Sequence, residues 1–364
     1  RFSDWVGAAR LRTLPLAIAP VLIGTGAATL VTVELRWVMA LACLVVALAL
    51  QIGVNYANDY SDGVRGTDDY RVGPARLTAS RKAKPRTVLL VAFAFFAIAA
   101  LAGLAIVIRS QQWWLLAVGV VCIAAAWFYT GGKRPYGYAG FGELFVFVFF
   151  GLVATVGTTY VQALTVPQEA WFGGIAAGLL ACAVLLANNL RDIDQDRAAH
   201  KRTLTVLIGR RGTRILFTVF ILVPFAIAAY LALFYPIAWL ALLALLAALP
   251  AILIVWTYRL PRELIVALSL TSLTSLAYAS STSSSGRARR DCSRRSASPE
   301  VTSVSGRRRN SSDRLSPMSA AKTAASQYSS RKIGKSMRMP KGTRKASSLS
   351  TEYRTAERAF TLQS

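Results

Sequence analysis

The sequence predicts an all-α fold: a polytopic membrane bundle of about nine transmembrane helices, arranged as two pseudo-repeated four-helix halves and followed by a disordered tail. Three observations support this prediction. Hydrophobic residues make up 54% of the 364 residues and charged residues only 16%, which excludes an ordinary soluble domain. Apolar stretches of near-spanning length recur from about residue 14 to about residue 279. Two polar clusters with the same pattern follow two of these stretches.

The apolar stretches predict the transmembrane helices one by one. A spanning helix needs about 20 apolar residues, because the hydrocarbon core of a bilayer is about 30 Å thick. A ninth segment, near residues 263–279, is marginal. The eight clear segments lie near residues 14–33, 37–57, 87–108, 113–130, 142–164, 171–190, 214–234 and 236–257.

The basic residues predict how the bundle is oriented. Lys and Arg concentrate at the N-terminus and in the loops after the second, fourth, sixth and eighth segments, whereas the other loops hold almost none. Cytoplasmic loops of membrane proteins carry an excess of Lys and Arg. We therefore expect the N-terminus and these four loops to be cytoplasmic.

The C-terminal residues 280–364 form a separate, tail-like region. They hold more than half of the net charge of +25 and are rich in serine, with few large apolar residues. Such a composition cannot bury a core, so we predict disorder. The abrupt change from the ninth segment into serine indicates a frameshift or fusion near residue 280, which would leave the tail without native function. The alternative is a basic tail attracted to anionic lipid; no nucleic-acid partner is expected.

The two polar clusters share one pattern. "NYANDYSDGVRGTDD" (55–69) follows the second segment and "NNLRDIDQDRAAHKRT" (188–203) follows the sixth. In both, an Asn is followed four residues later by an Asp, then by further Asp and by Lys or Arg. Four predicted crossings separate the clusters, so both face the same side of the membrane. This indicates an internal repeat that brings two acidic helix ends to a shared cytoplasmic mouth.

The side-chain chemistry of the clusters suits a hard cation. If each helix continues past its apolar part, the cluster side chains lie within arcs of about 60° and about 80°, and Asp194 points away. Carboxylate and amide oxygens, without Cys or His, suit Mg²⁺ shared with substrate phosphates. The residues that share a face are Asn55, Asp59 and Asp62, and Asn188, Asp192 and Asp196. The basic residues that could cover the remaining phosphate charge are Arg65, Lys133, Arg134, Arg191, Lys201 and Arg202.

A plainer interpretation of each acid is a helix cap or a solvated loop charge. For the two clusters together we prefer the functional interpretation, because uncompensated acids at membrane depth are costly. The sequence has a single histidine, His200, and its four cysteines lack metal-site spacing. No His-based metal site and no serine triad is therefore predicted.

Three segments resemble the signature segments of the UbiA family of membrane prenyltransferases. They are the two clusters, the second as "ANNLRDIDQDRAAHKRTL" (187–204), and "YTGGKRPYGYAGFGE" (129–143). The resemblance covers about residues 5–279 and is strongest to the menaquinone-pathway branch. Two departures stand out. Gly66 takes the place of the last Asp of the family's NDxxDxxxD motif, with Asp68 or Asp69 as possible substitutes, and the ninth helix is truncated.

The resemblance implies an activity. It is the Mg²⁺-dependent transfer of a long polyprenyl group from polyprenyl diphosphate to 1,4-dihydroxy-2-naphthoate, with loss of CO₂, giving demethylmenaquinone. The expected place is the bacterial plasma membrane, with the lipid bilayer as a partner. The implied ligands of Mg²⁺ and diphosphate are Asp59, Asp62, Asp192 and Asp196, with Asn55 or Asn58. The remaining candidates are Lys133, which could meet either the diphosphate or the acceptor's carboxylate, and Arg65, Arg134, Tyr136, Tyr138, Asn188, Arg191 and Lys201.

The reaction also requires an apolar cavity. Mg²⁺ and basic residues stabilise the charge that develops on the leaving diphosphate, and an apolar cavity keeps water from the allylic cation. Aromatic faces can stabilise positive charge. Candidate lining residues are Tyr129, Tyr136, Tyr138, Tyr160 and the segment 141–150, for which ordinary packing or lipid contact is the alternative.

Two other functions stay open. One is a UbiA-type enzyme that uses a different aromatic acceptor. The other is a secondary transporter, because internal repeats and intramembrane polar residues also mark that class. Against a transporter, the acids lie at helix ends on one side rather than at the middle of the membrane.

Overall fold

The structure, a computed structural model, describes residues 2–32, 35–66 and 76–297, with side chains up to residue 283. Every regular element among these residues is a helix. The α-helices are α1 Phe2–Ala8, α2 Pro15–Val31, α3 Trp37–Arg65, α4 Pro85–Ser110, α5 Leu115–Phe128, α6 Gly142–Val146, α7 Ala154–Ala163, α8 Gln168–Arg191, α9 Ile193–Ala198, α10 Leu204–Ala232, α11 Leu245–Thr257 and α12 Leu264–Ala297. A π-helical segment, Phe147–Val153, joins α6 to α7, and 3₁₀ segments include Tyr136–Tyr138 and Pro236–Ala244.

The described residues contain seven helices that are long and apolar enough to cross a membrane. An eighth span results if the helical segments Phe2–Thr13 and Pro15–Val31, which meet at a bend of 46°, are counted as one. α5 has only 14 residues, about 21 Å at 1.5 Å per residue, which is shorter than a bilayer core of about 30 Å. The all-helical membrane fold is therefore confirmed, whereas the predicted number of nine spans is not.

The second half of the bundle is built around α8. In its most apolar window 72% of the residues are buried, compared with 28% for α3. Glycines allow other segments to approach α8 closely, since a Cβ on Gly151 would lie 2.6 Å from the carbonyl oxygen of Gly174. Leu180 and Leu186 of α8 pack with Phe217 of α10 in the largest buried apolar cluster. α8 is thus a fixed support for the polar residues at its end.

The first half is more open. α3 packs along α4 through a buried cluster that includes Tyr56, Val88 and Phe96. α5 has no buried residues. This leaves space between α3, α4, α5 and α7, which the candidate site occupies.

The last helix is longer than predicted. α12 continues to Ala297, beyond the predicted start of the tail at residue 280. It packs against α2, where a Cβ on Gly26 would lie 2.6 Å from the Cα of Ser283. The helix therefore runs past the predicted boundary at residue 279, and the predicted frameshift or fusion stays a prediction. The rest of the predicted tail, and Asp68 and Asp69, lie outside the described residues.

Candidate active site

A cavity of about 490 Å³ extends into the bundle from the ends of α3 and α8. Along α3 it is lined from Asp62 to Cys43, a distance of about 28 Å at 1.5 Å per residue. Most of the lining is apolar and comes from α2, α3, α4, α5 and α7. The cavity is therefore long and apolar, with its acidic and basic side chains at one end, which we call the mouth.

The predicted site residues divide into two groups. Those that line the cavity are Asn55, Asn58, Asp62, Tyr136, Tyr138, Asn188, Asp192, Asp196 and Lys201. Those that do not are Asp59, Arg65, Lys133, Arg134 and Arg191. The structure thus brings both polar clusters to one mouth.

Asp62 is an acid of the mouth that several distant side chains contact. It is 3% exposed, and its Oδ2 lies 2.7 Å from Nη1 of Arg76. Its Oδ1 accepts a hydrogen bond from the Tyr138 hydroxyl and lies 3.5 Å from Nζ of Lys201. That ammonium also lies 4.5 Å from the centre of the Tyr138 ring, a cation–π contact. Three separate parts of the chain therefore hold this carboxylate in place.

Asp59 is buried but has a different environment. Its Oδ2 accepts the backbone N–H of Leu77 and its Oδ1 that of Thr78, both at 2.9 Å. These bonds fix the turn that starts at Arg76, whose Nη1 also donates to the carbonyl oxygen of Asn58 at 2.6 Å. Asp59 thus holds the segment that brings Arg76 to the mouth. Its role as a metal ligand stays a prediction.

This difference changes how the two clusters match. The sequence pattern pairs Asn55 and Asp59 with Asn188 and Asp192. By cavity lining, Asn58 and Asp62 are the counterparts of Asn188 and Asp192, because each pair is an Asn followed four residues later by an Asp, and all four line the mouth. Relative to the alignment that the sequence pattern suggests, the first cluster is then shifted by three residues against the second, and Gly66 aligns with Asp196.

Asp192 and the backbone of Lys201, in the second cluster, are held by contacts within that cluster. Asp192, which follows the last residue of α8, accepts hydrogen bonds from Nε and Nη2 of Arg191 at 2.7 and 2.5 Å. The same Nη2 donates to Oδ1 of Asn188 at 3.0 Å. Lys201 reaches the mouth because its backbone N–H donates to the carbonyl oxygen of Asp196 at 2.8 Å. Asp194 is exposed, as predicted, and pairs with Arg210 at 2.6 Å.

The loop after α5 explains why Lys133 and Arg134 do not line the cavity. Arg65, predicted to bind substrate, donates instead to the carbonyl oxygens of Thr130 and Gly132. Gly132 has φ +75°, a conformation that favours glycine. The turn leaves Lys133 and Arg134 exposed and returns the chain to the cavity at Tyr136 and Tyr138.

An aromatic wall lines the cavity behind the mouth. Tyr136 stacks on Phe145 with 4.0 Å between the ring centres, and Phe145 stacks on Phe149 at 6.0 Å. Burial raises the pKa of Tyr136, so the phenol stays neutral and donates to the carbonyl oxygen of Ala125 at 2.7 Å. Tyr129 also lines the cavity, but Tyr160 does not and donates to Gln112 instead.

These features can be compared with known proteins. The model of the UbiA prenyltransferase family matches residues 17–271. The chain belongs to the UbiA prenyltransferase family. It is similar to the 1,4-dihydroxy-2-naphthoate octaprenyltransferase of Mycobacterium tuberculosis (strain ATCC 25618 / H37Rv), with 53% identity over 278 residues, 76% of this chain and 94% of that protein. The enzyme of the same name from Escherichia coli (strain K12) is 37% identical over 227 residues, 59% of this chain and 71% of that protein.

Solved structures support the UbiA fold. The apo structure of a UbiA homolog from Aeropyrum pernix K1 matches with a TM-score of 0.58 and 15% identity, covering 74% of this chain and 97% of that one. A UbiA homolog from Archaeoglobus fulgidus, bound to DMAPP and Mg²⁺, matches with a TM-score of 0.54 and 16% identity. The match covers 77% of this chain and 99% of that one. At these identities the likeness concerns the fold alone.

Sequence reasoning missed several cavity-lining residues of this UbiA family member. They are Arg10, Arg76, Asn189, Gln195 and Thr203. Arg76 is one of many basic residues in its loop, and no local pattern distinguishes it. Arg10 reaches the cavity because Asn55 Nδ2 donates to the carbonyl oxygen of Ala9 at 2.9 Å, which ties the N-terminal segment to α3.

The mouth fits a divalent cation only if the cation is shared with a substrate. Among residues 2–32, 35–66 and 76–283, no group of three or more His, Cys, Asp or Glu side chains could hold a metal by itself. The mouth instead collects oxygen donors from both clusters, including Asp62, Asp192 and Asp196. The buried Gln195 Oε1 and Thr203 Oγ1 have no hydrogen-bond partner among these residues. Such an incomplete set of oxygen ligands suits Mg²⁺, which keeps waters and binds substrate phosphates.

Proposed function

We propose that this UbiA family member is a membrane 1,4-dihydroxy-2-naphthoate polyprenyltransferase that uses a long polyprenyl diphosphate and Mg²⁺. The observation that carries the proposal is the cavity itself, an apolar channel whose mouth combines Asp62, Arg76 and Lys201. A prenyl diphosphate has the matching form, an apolar chain with an anionic head. The acceptor is proposed from the similarity to the octaprenyltransferases of that name.

The mouth would bind the diphosphate. Arg76 and Lys201 supply positive charge at buried positions, where a charge–phosphate contact is stronger than in water. Asp62, Asp192, Asp196, Asn58 and Asn188 would hold Mg²⁺ together with the phosphates. When bound, Mg²⁺ would supply Lewis-acid stabilisation of the departing diphosphate.

The protein's own basic groups favour cleavage of the allylic C–O bond. As that bond breaks, negative charge grows on the diphosphate, so Arg76 and Lys201 bind the transition state more strongly than the bound substrate. Asp62 and Tyr138 keep Lys201 in position through an ion pair and a ring contact. Little reorganisation is then needed during the reaction.

The body of the cavity would hold the prenyl chain and exclude water. Its lining is mostly apolar, which removes the nucleophile that would otherwise capture the allylic cation. Phe145 and Phe149 present aromatic rings toward the same space, and such rings stabilise nearby positive charge. The new C–C bond would form at the ring carbon that bears the carboxyl group, which leaves as CO₂, and diphosphate is the other product.

The mouth is proposed to face the cytoplasm of a bacterial cell. The helix ends that form it carry the Lys- and Arg-rich loops, including residues 76–86 and 197–202, and such loops are retained on the cytoplasmic side. The diphosphate donor would then bind from the cytoplasmic leaflet, with its prenyl chain in the bilayer.

The test is diphosphate release and prenylated-product formation by the full chain purified in detergent. It is supplied with polyprenyl diphosphate, Mg²⁺ and 1,4-dihydroxy-2-naphthoate, or with other hydroxylated aromatic acids in parallel. We expect one prenylated, decarboxylated naphthalene product and one diphosphate per turnover, both abolished by EDTA. Turnover with another acceptor only would contradict the acceptor assignment. No diphosphate release with any acceptor would contradict the proposed reaction.

A further inference from the structure

Glu143 is a buried carboxyl group that the mechanism above does not use. It is 5% exposed and ends the segment 129–143. Among residues 2–32, 35–66 and 76–283, no Lys or Arg forms an ion pair with it. Its Oε1 accepts a hydrogen bond from Nδ2 of Asn189 at 3.0 Å. Burying a carboxyl group without a cation costs free energy, so the hydrogen bond from Asn189 is an important compensation for Glu143.

Asn189 connects this carboxyl group to the cavity. It lies on α8, is 9% exposed and lines the cavity, whereas Glu143 does not. Asn188 and Asp192 lie beside it at the mouth, and Leu185, one helical turn earlier, lies in the apolar lining. Asn189 therefore sits where the polar mouth changes into the apolar body of the cavity.

The hydrogen bond to Glu143 fixes which end of the Asn189 carboxamide is available. The amide has two donor hydrogens on Nδ2 and an acceptor, Oδ1. Nδ2 points to Glu143, and none of the described side chains or backbone groups donates to Oδ1. The acceptor end of the amide, Oδ1, is therefore available at the cavity, whereas Nδ2 is turned toward Glu143.

We propose that Asn189 binds a ring hydroxyl of the aromatic acceptor through Oδ1, and that Glu143 is the positioning residue that holds the carboxamide in this orientation. The inference rests on the proposed function. An amide oxygen attracts an O–H group and disfavours the oxygens of a carboxylate or a diphosphate, which have no hydrogen to donate. Of the two substrates, only the dihydroxynaphthoate carries hydroxyl groups.

The role of Glu143 follows from geometry. Without an acceptor for Nδ2, the carboxamide can turn over and present its NH₂ group to the cavity. Glu143→Gln keeps an acceptor oxygen at the same position, whereas Glu143→Leu removes it with little change in volume. The first substitution should preserve the orientation of Asn189 and the second should release it.

The experiment measures KM for each substrate separately, with the full chain in detergent. We expect Asn189→Leu and Glu143→Leu each to raise the KM for 1,4-dihydroxy-2-naphthoate by about tenfold, while the KM for the polyprenyl diphosphate changes by less than about twofold. Glu143→Gln should stay within about threefold of the wild type. The double variant should be no worse than Asn189→Leu, since both changes remove one interaction.

A control for local damage is available at Cys182, whose Sγ contacts the carbonyl oxygen of Glu143 at 3.1 Å but which does not line the cavity. Cys182→Ala should leave both KM values within about twofold. A parallel rise in the donor KM in Asn189→Leu would place this residue at the diphosphate and overturn the inference. The inference would also be overturned if the increases in acceptor KM caused by Asn189→Leu and Glu143→Leu were additive in the double variant. A wild-type chain that releases diphosphate only with other acceptors would contradict the proposed function instead, and Asn189→Leu would then be tested on the KM of the acceptor that is used.

Discussion

The two polar clusters of the mouth contain similar residues but are held in different ways. In the first, Asp62 is contacted by Arg76, Tyr138 and Lys201, which come from three distant parts of the chain. In the second, Asp192 is bound by the guanidinium of the preceding residue, Arg191. The first cluster therefore depends on tertiary structure, whereas these contacts of the second form within one helical turn. Substitutions around Asp62 should reveal this difference.

The largest effect is expected at Asp62 itself. Asp62→Ala removes a buried carboxylate that lines the mouth and leaves Arg76 and Lys201 without this partner. We expect kcat/KM for the donor to fall by at least about a hundredfold. Asp194→Ala is the matched control, since its exposed carboxylate pairs with Arg210 away from the cavity, and its activity should stay within about twofold. Equal losses in both variants would contradict the assignment of Asp62 to the mouth.

The arginine partners provide a direct comparison of the clusters. Arg76 lines the cavity and Arg191 does not. Arg76→Leu removes a proposed phosphate contact as well as an ion pair, so we expect donor kcat/KM to fall by about a hundredfold, against about tenfold for Arg191→Leu. Steady-state kinetics on both variants measure the difference. If both lose activity equally, the contrast between distant and local support has no functional meaning.

A third prediction separates the mouth from the body of the cavity. Gly157 lines the cavity, and a Cβ added there meets nothing within 4 Å. Gly157→Leu should therefore fill part of the channel, lowering kcat/KM about tenfold for a long donor and less for a short one. Gly7 also has free space around an added Cβ but does not line the cavity, so Gly7→Leu serves as the control. Mouth variants such as Asp62→Ala should impair both donors alike.

Asp59 tests whether the first cluster has one role or two. Its carboxylate accepts two backbone N–H groups, and the Oδ1 of an asparagine could accept only part of this pair. We expect Asp59→Asn to lower the free energy of unfolding by about 2 kcal/mol and to reduce activity about tenfold through displacement of Arg76. Thermal unfolding in detergent and the Mg²⁺ dependence of the rate are the measurements. An unchanged Tm with weaker Mg²⁺ dependence would instead support the metal role that the sequence predicts.

Much of this architecture could be predicted because a bilayer restricts the sequence so strongly. Spans must be apolar and helical, so all nine apolar segments are helices in the structure, although α5 is too short to count as a span. The two clusters are recognisable in the sequence because acids directly after an apolar membrane helix are unusual. The contacts of Asp59 and the position of Arg76 could not be predicted, because both depend on how the loop folds back on α3. The helical period alone also does not decide whether Asp59 or Asp62 is the counterpart of Asp192 in the repeat.

The smallest expected effect concerns the Tyr138 hydroxyl. Tyr138→Phe removes the hydrogen bond to Asp62 and keeps the ring beneath the Lys201 ammonium. Because Arg76 and Lys201 still contact Asp62, the loss should be that of one hydrogen bond, about 1 kcal/mol, or about fivefold in kcat. Tyr136→Phe is the control, since its hydroxyl donates to the carbonyl oxygen of Ala125 and contacts no carboxylate in the part of the chain that the structure describes. A loss as large as that of Arg76→Leu would show that the Tyr138 hydroxyl acts on the substrate itself, because a purely supporting bond cannot exceed the effect of the charged partner it assists.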